Sequence, residues 1–208
     1  MLNIAVFGSG KGSNFLAILS AIQQGKIPDT RICLVVSNNS AAGILEVARA
    51  NFLPAVHISQ KNFPGEAEFV SALLETLRNH GVNFLVLAGY MKRLHPQVIH
   101  AFRNCIINIH PALLPRHGGQ GMYGIHVHEA VLAAGEPFSG ATVHLVDEQY
   151  DHGAIVLQKK VAVSPDDTPE TLAAKVLSVE HEIYPEAIRL FAEGSVHVGS
   201  NERAVHNS

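Results

Sequence analysis

The chain is short of cysteine, of charge and of long hydrophobic runs, and each shortage removes a class of protein. Cys33 and Cys105 are the only two cysteines in 208 residues. Both lie in apolar runs, so they read as small core residues in a reducing compartment rather than as a disulfide scaffold. Charged residues make up 16% of the chain and the net charge is −3 with histidine neutral. Lacking a Lys/Arg cluster as well, the chain is not expected to bind nucleic acid or an anionic membrane. No stretch approaches the ~18 consecutive apolar residues of a membrane span. Nor does a basic segment with a small-residue cleavage site precede the first strand, so a cytoplasmic protein is expected. There is no Pro, Ser or Gln tract, and a 47% hydrophobic composition is that of a globular chain. The expectation is one domain over residues 1–194, followed by a polar tail, 195–208, that is loosely held.

Two further absences concern chemistry. No Gly-x-Ser-x-Gly elbow occurs, which argues against a serine hydrolase. The glycine loop after the first strand, Gly8-Ser9-Gly10-Lys11-Gly12-Ser13-Asn14, has neither Walker nor Gly-x-Gly-x-x-Gly spacing, and the second strand ends Ser37-Asn38-Asn39 without the acid that a dinucleotide ribose needs.

What is present is an alternation of strands and helices. Strands are expected at Leu2–Phe7, Ile32–Val36, Ala55–Ile58 and Val82–Ala88. Between them come helices with Phe15, Leu16, Ile18, Leu19 and Ile22 turned inward, then over 41–50 with Ser40 as cap, then over 65–79 with Phe69, Leu73, Leu74 and Leu77 inward. Such alternation predicts an α/β fold: a doubly wound, mostly parallel sheet of Rossmann-like form. A short helix over 96–102 leads to the strand Cys105–Ile109. A glycine-rich loop and a helix ending at Gly135 follow. The strands Ala141–Val146 and Ala154–Val163 are joined too closely for a crossover helix and should be antiparallel. A long helix from Thr168 to about Glu193 closes the pattern, with Leu172, Ala173, Val176, Leu177, Ile183, Ile188 and Phe191 buried.

The strand Cys105–Ile109 carries the chemistry. Asn108 and His110 leave it on the same side, and Pro111 ends it. An amide and an imidazole at the C-terminal end of a parallel strand stand where open α/β sheets bind ligands. Asp151, just before Gly153, could orient the imidazole and raise its pKa, and Asp147 is the competing acid. Gly12, Ser13 and Asn14 suit a terminal phosphate monoester, although a tight turn without a ligand would look the same. His144 alternates with Val143 and Leu145 and reads as a hydrogen-bonded core or near-site residue. Thirteen histidines do not by themselves make a metal site, since the close pair His126 and His128 should diverge at a helix start, and no metal is expected.

Taken together, the glycine loop, Ala88-Gly89-Tyr90-Met91-Lys92-Arg93-Leu94, Asn108-Ile109-His110-Pro111 with Leu113-Leu114-Pro115, and Asp151-x-Gly153 resemble the phosphoribosylglycinamide formyltransferases, from the first strand to about Phe191. The resemblance implies a co-substrate, 10-formyltetrahydrofolate, and transfer of its formyl group to the amine of glycinamide ribonucleotide in purine synthesis. It implies a catalytic trio of Asn108, His110 and Asp151, in which Asp151 keeps His110 charged and both Asn108 and His110 donate to the oxyanion. Gly12, Ser13 and Asn14 would hold the phosphate and Glu180 the ribose. Met91, Lys92 and Leu94 would read the folate, with Val146 and Asp147 in a loop closing over it. Small-molecule partners and a monomer or homodimer are implied. Lys92-Arg93, the lack of an arginine in 60–66 and the long loop 116–124 depart from the pattern. Rival readings are a formyltetrahydrofolate hydrolase, another formyltransferase of the superfamily, and a non-catalytic phosphate-ligand sensor.

Overall fold

The computed structural model describes residues 1–198, 204 and 205. It divides into two compact units, Met1–Ile107 and Asn108 onward.

In the first unit, β1 (Leu2–Phe7), β2 (Thr30–Ser37), β3 (Ala55–His57) and β4 (Phe84–Leu87) lie in the order β3-β2-β1-β4. Each pairing is parallel, so the chain must cross over between strands, and helices make the crossings. These are α1 (Ser13–Gln23), α2 (Gly43–Ala50) and α3 (Glu66–Asn79), with α4 (Pro96–Ala101) after β4. Ile4 to Phe7 and Leu34 to Val36 are fully buried, the near-continuous apolar run of a strand covered on both faces. The inward side of α1 is Asn14, Phe15, Ile18, Leu19 and Ala21. Leu16, expected to be inside, is 45% exposed, and Ile22 is half-buried. On α3 the buried residues are Val70, Leu73 and Leu77, with Phe69 and Leu74 only half-buried.

Ser40 does not cap α2. The N-cap is Ala42, without a side-chain bond. Asn39 instead turns the chain, its side-chain oxygen accepting from the Ala41 N–H at 3.1 Å, and this delays the helix until Gly43. The cap that sequence reading missed is His95, whose ring accepts from the Gln97 N–H ahead of α4.

The second unit takes up the chain within β5 (Ile106–His110), and its strand order is β5-β6-β7. β6 (Phe138–Leu145) and β7 (Ile155–Ala162) are antiparallel as expected. α5 (Ile125–Ala133) precedes them and α6 (Pro169–Ala192) follows. α6 buries Leu172, Val176, Val179, Glu180, Ile183, Tyr184, Ala187, Ile188 and Leu190, whereas Ala173, Leu177 and Phe191 are half-buried. The expectation of a loose tail falls largely on residues outside those described. The described part holds a short antiparallel pair, β8 (His197–Val198) with β9 (Ala204–Val205). Cys33 and Cys105 are free thiols, half-buried rather than deep in the core. No helix among the described residues is long and apolar enough to cross a membrane.

α6 starts with a reciprocal cap. The Thr171 N–H donates to the Thr168 hydroxyl while the Thr171 hydroxyl accepts from the Thr168 N–H. Two donors of the first turn are thereby satisfied. Thr168→Ala removes the first bond, and urea unfolding should show a loss of about 1 kcal/mol.

Candidate active site

The second unit gathers an amide, two imidazoles and a carboxylate. Asn108 and His110 sit two residues apart on β5, so the pleat turns both to one side. His144, on β6, is 2% exposed and His110 is 3% exposed. The Asn108 Nδ2 lies 3.1 Å from His144 Nε2. The other ring nitrogen of His144 is 2.8 Å from the Leu145 carbonyl, which can only accept. Nδ1 therefore carries the hydrogen, and Nε2 presents a lone pair to the Asn108 amide. His110 is held in the opposite tautomer, because its Nε2–H donates to the His117 carbonyl at 2.8 Å.

Asp151 stands between these rings. Its Oδ2 is 3.5 Å from His110 Nδ1 and its Oδ1 is 3.5 Å from His144 Nε2, and the Gly119 N–H donates to Oδ2 at 2.9 Å. The residue adopts a positive φ of 53°, a strained setting that local packing has to enforce. Two residues later, Gly153 packs tightly against the end of β6. A Cβ there would lie 1.9 Å from the Leu145 carbonyl oxygen, so only glycine fits. Asp147, the rival acid, is spent within its own loop: it accepts from the Gln149 N–H at 2.7 Å and lies 2.8 Å from His152 Nδ1.

The electrostatics depart from expectation. Burial pushes the Asp151 carboxyl up, but the His144 and His110 rings and the Gly119 N–H outweigh it, and the carboxyl ends below its ordinary value of 3.8. For His110, burial pushes the pKa down and wins against the raising effects of Asp151 and the His117 carbonyl, leaving it below the ordinary 6.5. The resting imidazole is thus neutral at neutral pH, not held charged by Asp151. A proton arriving on Nδ1 of His110 would find a counter-charge at 3.5 Å.

The segment after His110 is fastened by Thr142, which is fully buried. Its hydroxyl donates to the Ala112 carbonyl at 2.6 Å and accepts from the Leu114 N–H at 3.1 Å and the Gln158 amide at 2.8 Å. Thr142 and Gly119 escaped the sequence reading, since a strand threonine and one glycine of a glycine-rich loop carry no distinguishing spacing. Glu180 is 9% exposed on α6. Val146 and Asp147 follow β6 and are half-buried. Among the described residues no three His, Cys, Asp or Glu side chains are grouped so as to hold a metal ion.

The glycine loop and the 88–94 segment belong to the first unit. Gly12, at φ 86°, turns the chain into α1, placing Ser13 and the buried Asn14 in the first helical turn, where N–H groups and the helix dipole favour an anion. Met91 is half exposed and Leu94 is 5% exposed. Tyr90 anchors the segment by setting its ring edge-on to Phe7, at 5.3 Å between centroids, and burial pushes its phenol up to about 12. Ser9 joins the two stretches: its hydroxyl accepts from the Met91 N–H at 2.9 Å.

Comparisons with known proteins point to one family. The formyl transferase family pattern matches residues 2–188. A chloroplastic phosphoribosylglycinamide formyltransferase of Arabidopsis thaliana is 44% identical over 191 residues, which is 91% of this chain and 65% of the plant protein. This chain therefore spans somewhat less than two thirds of that relative. The phosphoribosylglycinamide formyltransferase of Haemophilus influenzae is 37% identical over 201 residues, 97% of this chain and 92% of its own length. Among solved structures, glycinamide ribonucleotide transformylase 1 of Symbiobacterium toebii superposes with a TM-score of 0.90 at 40% identity, covering 98% of this chain and 93% of that one.

Both depressed pKa values make folding sensitive to acid in the same direction. The native state binds fewer protons than the unfolded chain, so the stability these groups contribute is present above their unfolded values and is lost as pH falls through the folded ones. For His110 that loss begins as pH drops below 6.5, and for Asp151 below 3.8. His110→Asn should flatten the fall in urea midpoint just below pH 6.5 without altering the slope at the lower, carboxylate range.

Proposed function

The chain belongs to the formyl transferase family, among its phosphoribosylglycinamide members, and we propose that it transfers the formyl group of 10-formyltetrahydrofolate to the primary amine of glycinamide ribonucleotide. The observation that carries this reading is Asp151 lying 3.5 Å from both His110 and His144, with Asn108 bonded to the same His144 ring. A binding module would have no use for a carboxylate held between two buried imidazoles.

The attacking amine adds to the formyl carbon, and the carbonyl oxygen becomes an oxyanion. The Asn108 amide has two N–H bonds and spends one on His144, so the second is its donor to that oxygen. His110 enters neutral, accepts the proton released by the attacking nitrogen at Nδ1, and becomes an imidazolium beside Asp151. Returned to the departing folate nitrogen, that proton completes the exchange: one C–N bond forms, one breaks and no net proton is consumed. Gly12, Ser13 and Asn14 take the phosphate and Glu180 accepts from the ribose hydroxyls. Met91, Lys92 and Leu94, with Val146 and Asp147, receive the folate. Lys92 and Arg93 differ from the family pattern, but contacts made through the main chain tolerate such exchanges.

Incubating the protein with 10-formyltetrahydrofolate, with and without glycinamide ribonucleotide, and following tetrahydrofolate tests the reading directly. Release only with the acceptor is expected. Release without it would make the protein a hydrolase, and none in either case would leave a ligand sensor. Asn108→Ala should lower kcat by roughly 10²–10³-fold, the usual cost of one oxyanion donor. Ser13→Ala should act on KM for the ribonucleotide instead. Because His110 works from its neutral form, kcat should fall as pH drops through the ring's lowered pKa; a rate that climbs on acidification would reverse the assignment.

A further inference from the structure

The strand order of the first unit has a topological switch. From β1 the chain steps to β2 and β3 on one side, then returns to place β4 on the other. Ligands of open α/β sheets bind beyond the carboxyl ends of the strands at such a point, here between β1 and β4. One residue bridges it. Ser9 follows β1 by two positions and uses every polar atom it has. Its N–H donates to the Gly89 carbonyl at 2.9 Å. The carbonyl accepts from the Asn39 side chain at 3.3 Å. The hydroxyl donates to Asn38 Oδ1 at 2.6 Å and accepts from the Met91 N–H at 2.9 Å. Asn38 and Asn39 follow β2, while Gly89 and Met91 follow β4, so the ends of three adjacent strands are tied through a single side chain and its own peptide groups.

The order of these bonds matters. A hydroxyl has one hydrogen, and giving it to Asn38 fixes the lone pair that meets the Met91 N–H. Gly8, the residue before, has its Cα packed so closely that a Cβ would lie 2.7 Å from Ile44 Cδ1 and 3.1 Å from the Ala88 carbonyl. The peptide leading into Ser9 therefore has little freedom to drift. From this geometry we propose that Ser9 is a positioning residue for the formyl donor: by holding the Met91 N–H it sets where the main chain of Met91 to Leu94 stands across the switch point, and Asn38 orients it for that task. The Met91 N–H is consequently spent inside the protein and is not one of the groups that meet the ligand. The inference rests on the proposed use of this segment for the folate.

Two readouts keep it separate from that reading. Amide hydrogen exchange, measured without ligands, should show Met91 exchanging faster in Ser9→Ala than in the parent, with protection recovered in Ser9→Thr. In steady-state kinetics Ser9→Ala should raise KM for 10-formyltetrahydrofolate about tenfold, the effect of one lost hydrogen bond to the frame of a binding segment, and leave kcat within about twofold, the pattern of lost uniform binding. Should Ser9→Ala not fold, Asn38→Ala removes the acceptor that orients the hydroxyl and gives the same two measurements. Unchanged Met91 exchange in a folded variant, or an unchanged donor KM beside an active parent, overturns the role of Ser9. A parent with no formyl transfer overturns the proposed function instead, and the exchange result still decides whether Ser9 holds the segment.

Discussion

The chemistry of the second unit depends on one carboxylate placed between two imidazoles. Asp151 brings a negative charge within 3.5 Å of His110 and His144, and it remains ionised because the two rings and the Gly119 N–H together outweigh the cost of its burial. Each ring is also fixed by a carbonyl, His117 for one and Leu145 for the other. The positive φ of Asp151 and the crowded glycine two residues later show that the backbone is held to deliver the carboxylate.

A neutral, buried imidazole beside an ionised carboxylate is a proton acceptor with a ready counter-charge. Both effects bear on the protonated ring: burial disfavours it, and the attraction of the Asp151 carboxylate offsets part of that cost without reversing it. The result is a ring that is neutral at rest and whose charged form keeps a partner at 3.5 Å.

Much of this was legible in the sequence, and the limits are physical. Strand alternation was enough to put Asn108 and His110 on one side, because the pleat has a period of two whatever surrounds it. The antiparallel pair followed from connection length and the long helix from its apolar spacing after Thr168. Without the family resemblance, Asp147 and Asp151 could not be told apart, since both are loop acids next to a strand and only tertiary distance separates them. Asp151 pushes the His110 pKa up, as its place in the motif suggests, but burial, which no motif shows, outweighs it. His144 read as either a core or a near-site residue, and its bond to Asn108 was hidden among thirteen histidines. Ser40 failed as a cap because Asn39 turned the backbone first.

Gly153 also limits how this site can be altered. Its Cα rests against the Leu145 peptide with no space for a methyl group, so the eight positions from 146 to 153 do not vary independently. Libraries randomised across that span would be winnowed first by steric fit at the glycine and only then by catalysis. Loops borrowed from a homologue would have to arrive with both flanking anchor points intact, as a cassette rather than as a string of residues.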